Sequence, residues 1–514
     1  MSDFLRRLRS QVRANPDRVA FLNSRKKKGG SSEASSLTYR ELWEESDSLA
    51  AYLLNEAPAG KPIVVYGHKS PLMLVSFLGA LKAGLTYAPV DVAYPADRVD
   101  DILDQIGTPL VLDLSDGVFP GDSRLASDVL DKDDILRICE HRATVDESVW
   151  IKDETPFYLL FTSGSTGRPK GVQMPSRCAD AFMEYFSRFF PEEGGVSFNR
   201  VPYTFDVSLF DLIPGLAAGY TLYALESEAE ESIRETFGAL RESNATVWIS
   251  TPSFVEMCLA DPSFGQELLP YLKRFVLCGE VLRNSTALKL IERFPCSDVF
   301  NTYGPTETQA VSDILVDAAM AREIEPLPVG TMNPRMRAVI RDVDSGEILG
   351  PNQVGEIFLA GDTVSAGYWG RPDLTEKVFG EMAFDDGAIL RCYKTGDKGY
   401  VDEAGRLFCL GRLDFQVKLN GFRVELGDVE QALVRLPEIK EAVVLPKERG
   451  GKVSHLVAHV LLEDSTQEGD LALTMGLKRQ LGELVPDYMI PKKFVYHAKF
   501  PLNGNGKIDR KALA

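Results

Sequence analysis

Short apolar runs that open directly into loops of glycine, serine, threonine and proline recur along this chain, and no other feature constrains its fold as much. Residues 62–66, 86–90 and 109–112 read as strands, and helical stretches at 71–83 and 98–105 alternate with them. The same pattern returns at 157–161, 247–249, 275–277 and 298–300. Strands that alternate with helices predict an α/β architecture. Functional sites in such sheets lie beyond the carboxyl ends of the strands, where these loops fall.

The pattern changes after Gly411-Arg412-Leu413-Asp414. Residues 415–419 and 422–426 flank Asn420-Gly421, which predicts a tight hairpin on the preferred Asn-Gly turn. Helix at 429–436, strands at 442–445 and 455–462, helix at 471–484 and strand at 493–496 follow, an α+β pattern of its own. We therefore expect two domains, 1–413 and 414–514, within the 514 residues.

Charge narrows the function classes. The chain carries 57 Lys+Arg against 75 Asp+Glu, a net charge of -18, which argues against a nucleic-acid binder working through a general basic field. Residues 415–514 hold 15 bases and 13 acids, so the first 414 carry -20. Lys492, Lys493, Lys499, Lys507, Arg510 and Lys511 face only Asp509 in the last stretch, a basic end suited to an acidic partner or a phosphate. Seven scattered cysteines without a C-x-x-C pair fit a reducing cytoplasm rather than a disulfide framework or zinc ribbon. The longest apolar stretch, 71–81, is too short for the roughly 20 residues of a membrane span. The N-terminus reads as a surface helix, and residues 24–36, polar and without periodicity, as a surface loop.

Five strings carry chemistry. Thr162-Ser163-Gly164-Ser165-Thr166-Gly167-Arg168-Pro169-Lys170-Gly171 combines glycines, hydroxyls and a lysine after an apolar strand, the composition of a phosphate cradle that does not match a Walker A loop. Asn301-Thr302-Tyr303-Gly304-Pro305-Thr306-Glu307 brings a ring, a hydroxyl and a carboxylate into one turn, suited to a base, a phosphate and Mg²⁺. Tyr393-Lys394-Thr395-Gly396-Asp397 offers a carboxylate that can accept both hydroxyls of a ribose. Gly411-Arg412-Leu413-Asp414 leads into the hairpin, and Asn505-Gly506-Lys507 puts an ammonium on a Gly/Asn loop near the C-terminus. Each has a plain structural reading as a polar turn. The five histidines form no H-E-x-x-H.

In this order and spacing the five strings resemble the adenylate-forming superfamily of adenylation domains, acyl-CoA synthetases and luciferases. The resemblance covers nearly the whole chain. It implies a large N-terminal domain of stacked sheets and helices, a small mobile α+β C-terminal domain, and an active site between them that uses ATP and Mg²⁺. It places Thr162, Ser163, Gly164 and Lys170 in the phosphate loop, with Asn301, Thr302, Gly304 and Pro305 around the nucleotide. Tyr303 would stack on adenine, Thr306 contact phosphate and Glu307 hold the metal. Asp397 and Arg412 would bind ribose, Asp414 would be the hinge, and Lys507 the catalytic lysine, shared by ATP and substrate.

Val201 to Asp211 embeds an acid in an apolar run, where an unpaired carboxylate would cost several kcal/mol. By resemblance, Asp206 would anchor the α-ammonium of an amino acid; locally it reads as a helix N-cap. Asp211 reads as structural. Other strings, among them F-D-V-S-L-F-D-L-I-P and D-Y-M-I-P-K-K-F, look most like the free-standing D-alanine:D-alanyl carrier protein ligases of teichoic-acid D-alanylation. That likeness implies a small acidic phosphopantetheinylated carrier as partner, a cytoplasmic monomer, and no membrane insertion or nucleic acid. No carrier domain follows Ala514, in keeping with a separate carrier. Cys278 would crowd the pocket for a small D side chain. Ala310 stands near where the family has a substrate-contacting valine slightly further on, a departure that leaves glycine, L-alanine or serine open. The alternatives are another amino-acid adenylation enzyme, an acyl-CoA synthetase, and a nucleotide-binding regulator without chemistry.

Overall fold

Apolar side chains on both faces drive the short central strands into the interior, and two stacked sheets with helices around them are the result. The computed structural model describes residues 2–26, 32–163, 168–191, 193–225, 232–414, 416–419, 421–449, 452–464, 469–501, 508 and 510–513. Ile63–Tyr66, Tyr87–Val90, Leu110–Asp113 and Val247–Ser250 are buried at every position.

The first sheet has seven strands, in the order Gly367–Tyr368, Lys170–Pro175, Pro156–Thr162, Tyr87–Val90, Ile63–Tyr66, Leu110–Asp113 and Asp128–Leu130. From Pro156–Thr162 onward they run parallel. The second has nine. Its parallel centre contains Asp298–Tyr303, Arg274–Leu277, Val247–Ser250, Val196–Asn199 and Thr221–Ala224. A continuous core between the sheets takes in Tyr158, Phe182, Phe186, Phe210 and Val276. A five-stranded antiparallel sheet that includes Gly355–Gly361, Ile389–Val401 and Leu407–Arg412 completes the large domain.

The smaller C-terminal domain opens with the antiparallel hairpin Gln416–Leu419 and Phe422–Glu425. Helices Leu426–Val434 and Leu471–Gly482 then pack on the sheet Ile439–Arg449, Lys452–Leu462, Lys493–His497 around a core of its own. Among the described residues no helix is long and apolar enough to cross a membrane.

One expectation is overturned. Residues 24–36 are not simply a loop, because Val19–Lys26 and Ser32–Thr38 form an antiparallel pair that runs as far as Lys26 opposite Ser32. Phe21 to Asn23 pair on their other side with Leu222 to Ala224, so the backbone ladder carries the strands outward without apolar periodicity. The N-terminal helix Asp3–Ala14 is amphipathic and buries Phe4, Leu5 and Leu8.

Candidate active site

The carboxyl ends of Pro156–Thr162 and Asp298–Tyr303 lead into two of the motif strings, and that of Arg274–Leu277 into Cys278 and Gly279, in a region facing the C-terminal domain. A cleft of about 900 Å³ opens there, lined by Gly279, Asn301, Thr302, Tyr303, Gly304, Asp397 and Arg412 of the large domain, by Asp414 at the junction, and by Lys418, Arg449 and Lys452 of the small domain. Its floor is built tightly. A Cβ on Gly304 would lie 1.8 Å from the Gln309 carbonyl oxygen, so only glycine lets the turn close at that point. Asn301 donates to the Pro328 carbonyl (2.8 Å) and Thr302 to the Leu277 carbonyl (3.0 Å), fixing both side chains on the scaffold.

Polar side chains run from this floor to the domain junction. The Tyr303 hydroxyl donates to Asp397 Oδ2 (2.5 Å), Arg412 Nη1 donates to Asp397 Oδ1 (3.0 Å), and Arg412 Nε donates to Asp414 Oδ1 (2.9 Å). Burial would raise the Asp414 carboxyl, but its bonds from Arg412 bring it below the usual range.

A second group centres on Glu307, whose side chain is fully buried. Tyr368 donates to Oε1 (2.8 Å), Arg423 Nη1 donates to Oε2 (2.7 Å), and the Lys170 ammonium stands 3.8 Å from Oε1. Burial alone would push this carboxyl up. The guanidinium of Arg423 and the ammonium of Lys170 overcome burial and hold it far below the ordinary carboxylate range, so Glu307 is ionised. Lys170 is itself lowered by burial and by the nearby Arg423.

Asp206 stands beside the Glu307 group. It opens a short 3₁₀ turn, Asp206–Ser208, without capping it, and accepts from the Thr306 hydroxyl at Oδ2 (2.6 Å). Burial raises its carboxyl, against the pull of the Thr306 hydroxyl, Lys418 and Arg423. Cys278 is buried directly after its strand, and its thiol, raised by burial to about 11, lies within the field of Asp206. Ala310 is buried behind Gln309. The Thr162 hydroxyl is shielded from solvent with no hydrogen-bond partner among the described residues. Pro305 accepts at its carbonyl from Thr308 N and so closes the motif turn. Gly164 and Lys507 lie outside the described residues. Asp211 is held by Ser197 and Asn199 inside the core.

The hairpin of the small domain reaches into this region. Ser163 Oγ donates to the Arg423 carbonyl (2.9 Å) and accepts from Glu425 N (3.2 Å). At the turn, Gly421 N donates to Glu280, and a Cβ there would meet Thr251 Cγ2 at 2.7 Å. Phe422 sets its ring against the edge of Phe205 and stacks on Tyr488.

Arg423, Tyr368 and Glu280 are the residues that sequence reasoning missed. The sole signal for Arg423 was a cation within a hairpin strand, directly after an Asn-Gly turn.

Residues 8–369 match the AMP-binding enzyme family and residues 428–507 the AMP-binding enzyme C-terminal domain. The chain belongs to the AMP-binding enzyme family. It is 42% identical over 513 residues, 98% of either chain, to a D-alanine--D-alanyl carrier protein ligase of Bacillus licheniformis. Its identity to the ligase of the same name from Bacillus mycoides is 43% over 482 residues, 93% of this chain and 94% of that one. Among solved structures it resembles a nonribosomal peptide synthetase protein containing adenylation and PCP domains, bound to a vinylsulfonamide inhibitor. That likeness has 25% identity and a TM-score of 0.80, and covers 99% of this chain and 83% of the other. As a member of the AMP-binding enzyme family, the chain is an AMP-forming ligase that uses ATP.

Proposed function

We propose that this AMP-binding enzyme activates D-alanine with ATP as D-alanyl-AMP, releasing pyrophosphate, and then passes the acyl group to the phosphopantetheine thiol of a separate carrier protein for D-alanylation of teichoic acid. The observation that carries the amino-acid reading is Asp206, an acid set among apolar residues and steered by Thr306 beside the Glu307 group. An α-ammonium supplies the counter-charge that such an acid requires. A fatty or aryl acid would leave it unpaired, which disfavours the acyl-CoA synthetase alternative. The names of the relatives support D-alanine as the amino acid and a carrier protein as the acceptor.

In this reading the cleft takes the nucleotide, with Tyr303 against the adenine and Asp397, tied to Arg412, accepting from the ribose hydroxyls. Thr162, Ser163, Gly164, Lys170 and Thr306 face the phosphates. Attack of the substrate carboxylate on the α-phosphorus builds negative charge on its non-bridging oxygens, and fixed cations there lower the barrier. Lys170 contributes one, and Lys507 would contribute another when its loop is brought in.

Glu307 is a hard oxygen donor that stays ionised, which suits Mg²⁺ held by one carboxylate plus substrate phosphates rather than by an all-protein cage. Bound there, Mg²⁺ would neutralise the departing pyrophosphate. The small domain, turning about Asp414 between 413 and 414, would then present in place of Lys507 the hairpin that reaches Ser163 and Glu307. Lys492, Lys493 and Lys499 are exposed and suit an acidic carrier, whereas Arg510 is turned inward onto Glu430 (2.7 Å).

ATP-pyrophosphate exchange with D-alanine, L-alanine, glycine, D-serine and a short fatty acid tests this reading. Exchange with D-alanine that Asp206→Ala and Lys507→Ala both abolish is the expected result. An inert D-alanine beside an active fatty acid would overturn it.

A further inference from the structure

Arg98 lies in the first turn of the helix Ala96–Ile106, which follows the strand Tyr87–Val90 of the first sheet. It is only 9% exposed and its Nε is shielded from solvent. Its guanidinium makes no hydrogen bond or ion pair among the described residues. Its neighbours are aromatic: the Tyr94 ring centroid is 6.0 Å away, and Tyr488 of the small domain lies within its field. A guanidinium so far out of water is costly without a counter-charge, so one that the fold keeps points to an anion arriving from outside.

Acids are close in the sequence, but each is committed elsewhere. Asp91 meets His68 Nδ1 (2.8 Å) and accepts from Ala93 N (3.0 Å). Asp97 pairs with Arg435 of the small domain (2.9 Å), and Asp100 accepts from Asp122 N (2.6 Å). Asp101 and Asp104 receive Nε and Nη2 of Arg168 (2.9 and 2.6 Å). The helix thus carries four carboxylates and leaves its one cation bare. His68 adds a second open group across Asp91, because its Nε2 is also shielded and has no partner among the described residues. Asp91 and Arg98 act together on Tyr94 and on Tyr488, which places all five residues at one junction.

The surroundings name the anion. Arg168 belongs to the phosphate string, and Asp101, which holds it, is one helical turn on from Arg98. The strand before this helix pairs through Tyr87 with Tyr158 of the strand that leads into the string. The open guanidinium therefore stands beside the phosphate string, where its planar fork suits two oxygens of one phosphate group. We infer that Arg98 binds the pyrophosphate released in the adenylation step, as an anion contact outside the phosphate string, with His68, when protonated, as a second donor. The inference rests on the adenylation reading of this site.

The experiment uses the full chain, with inorganic pyrophosphate and Mg²⁺ as the probe, titrated by calorimetry and then varied in the exchange assay with D-alanine. Arg98→Gln should raise the Kd and the KM for pyrophosphate about tenfold, while the KM for D-alanine stays within about twofold of wild type. Arg98→Lys keeps the charge without the fork and should lose about threefold. Wild-type pyrophosphate affinity in a folded Arg98→Gln protein would overturn the inference. Where that protein does not fold, wild-type affinity in Arg98→Lys would do the same. An unchanged pyrophosphate affinity beside a raised KM for the carrier would also overturn it, and would give the guanidinium to the phosphodiester of the carrier's arm. Exchange absent with every amino acid sinks the adenylation reading, and the calorimetric titration then still decides whether Arg98 holds pyrophosphate.

Discussion

The Thr306 hydroxyl donates to Asp206 Oδ2 across 2.6 Å, tying the loop of the phosphate motif to an acid one hundred residues earlier. This bond aims the carboxylate, and in the reading proposed above its other oxygen receives the substrate ammonium. Asp206→Asn keeps the shape and removes the charge. It should raise the KM for D-alanine about 30-fold, the ~2 kcal/mol of a hydrogen bond to a charged group, with less effect on the KM for ATP. Because burial raises this carboxyl above its ordinary 3.8, it takes up a proton sooner as pH falls. D-alanine affinity should accordingly drop on the acid side, starting from a higher pH than an exposed aspartate would give. A KM profile for D-alanine against pH, in wild type and Asp206→Asn, checks both statements.

The Tyr303–Asp397–Arg412 connection predicts a nucleotide effect. Removing the hydroxyl in Tyr303→Phe leaves the ring but deprives Asp397 Oδ2 of its 2.5 Å donor. Loss of about 1 kcal/mol should weaken ATP binding roughly fivefold while D-alanine binding stays close to wild type. Titration with a fluorescent ATP analogue, together with the two KM values, distinguishes this from general damage, which would raise both.

Much of this arrangement was legible in the residues, and what was hidden has a physical reason. The hairpin was found almost to the residue because Asn-Gly demands a tight turn and alternating strands flank it. Tyr303, Asp397 and Arg412 were each found within a motif, and the structure joins them. Arg423 was not, because a cation in a short strand looks the same whether it meets water or a carboxylate 116 residues away. Tyr368 was hidden likewise: an aromatic residue reads as core, and only the fold brings its hydroxyl to Glu307. Residues 24–36 misled for the opposite cause, since backbone pairing to the neighbouring strands is indifferent to side-chain polarity.

Gly421 makes the hairpin turn at φ +89°, and a Cβ there would lie 2.7 Å from Thr251 Cγ2. Gly421→Ala therefore strains the backbone by about 1–2 kcal/mol and pushes the turn off the large domain. Transfer to the carrier thiol should slow about tenfold, while exchange, which in our reading uses the other placement of the small domain, should change less than about threefold. Parallel assays of exchange and of carrier loading decide the matter. Equal losses in both would show that the turn serves only folding.

Asp211 offers a stability test away from the cleft. It is fully buried, accepts from Ser197 Oγ (2.5 Å) and Asn199 Nδ2 (2.7 Å), and burial pushes its carboxyl up to about 6 despite those donors and Lys69. Between the ordinary 3.8 and about 6 the folded chain holds a proton that the unfolded chain has lost. Stability from this group must then fall as pH rises through that window, by roughly 2–3 kcal/mol at 1.36 per unit, and stay level above it. Asp211→Asn, which stays neutral, should lack that component. Melting curves of both proteins from about pH 4 to about pH 7 should show the stability of the variant rising relative to wild type until the window closes. Parallel curves would mean that Asp211 is ionised throughout and that its cost is fully met by Ser197, Asn199 and Lys69.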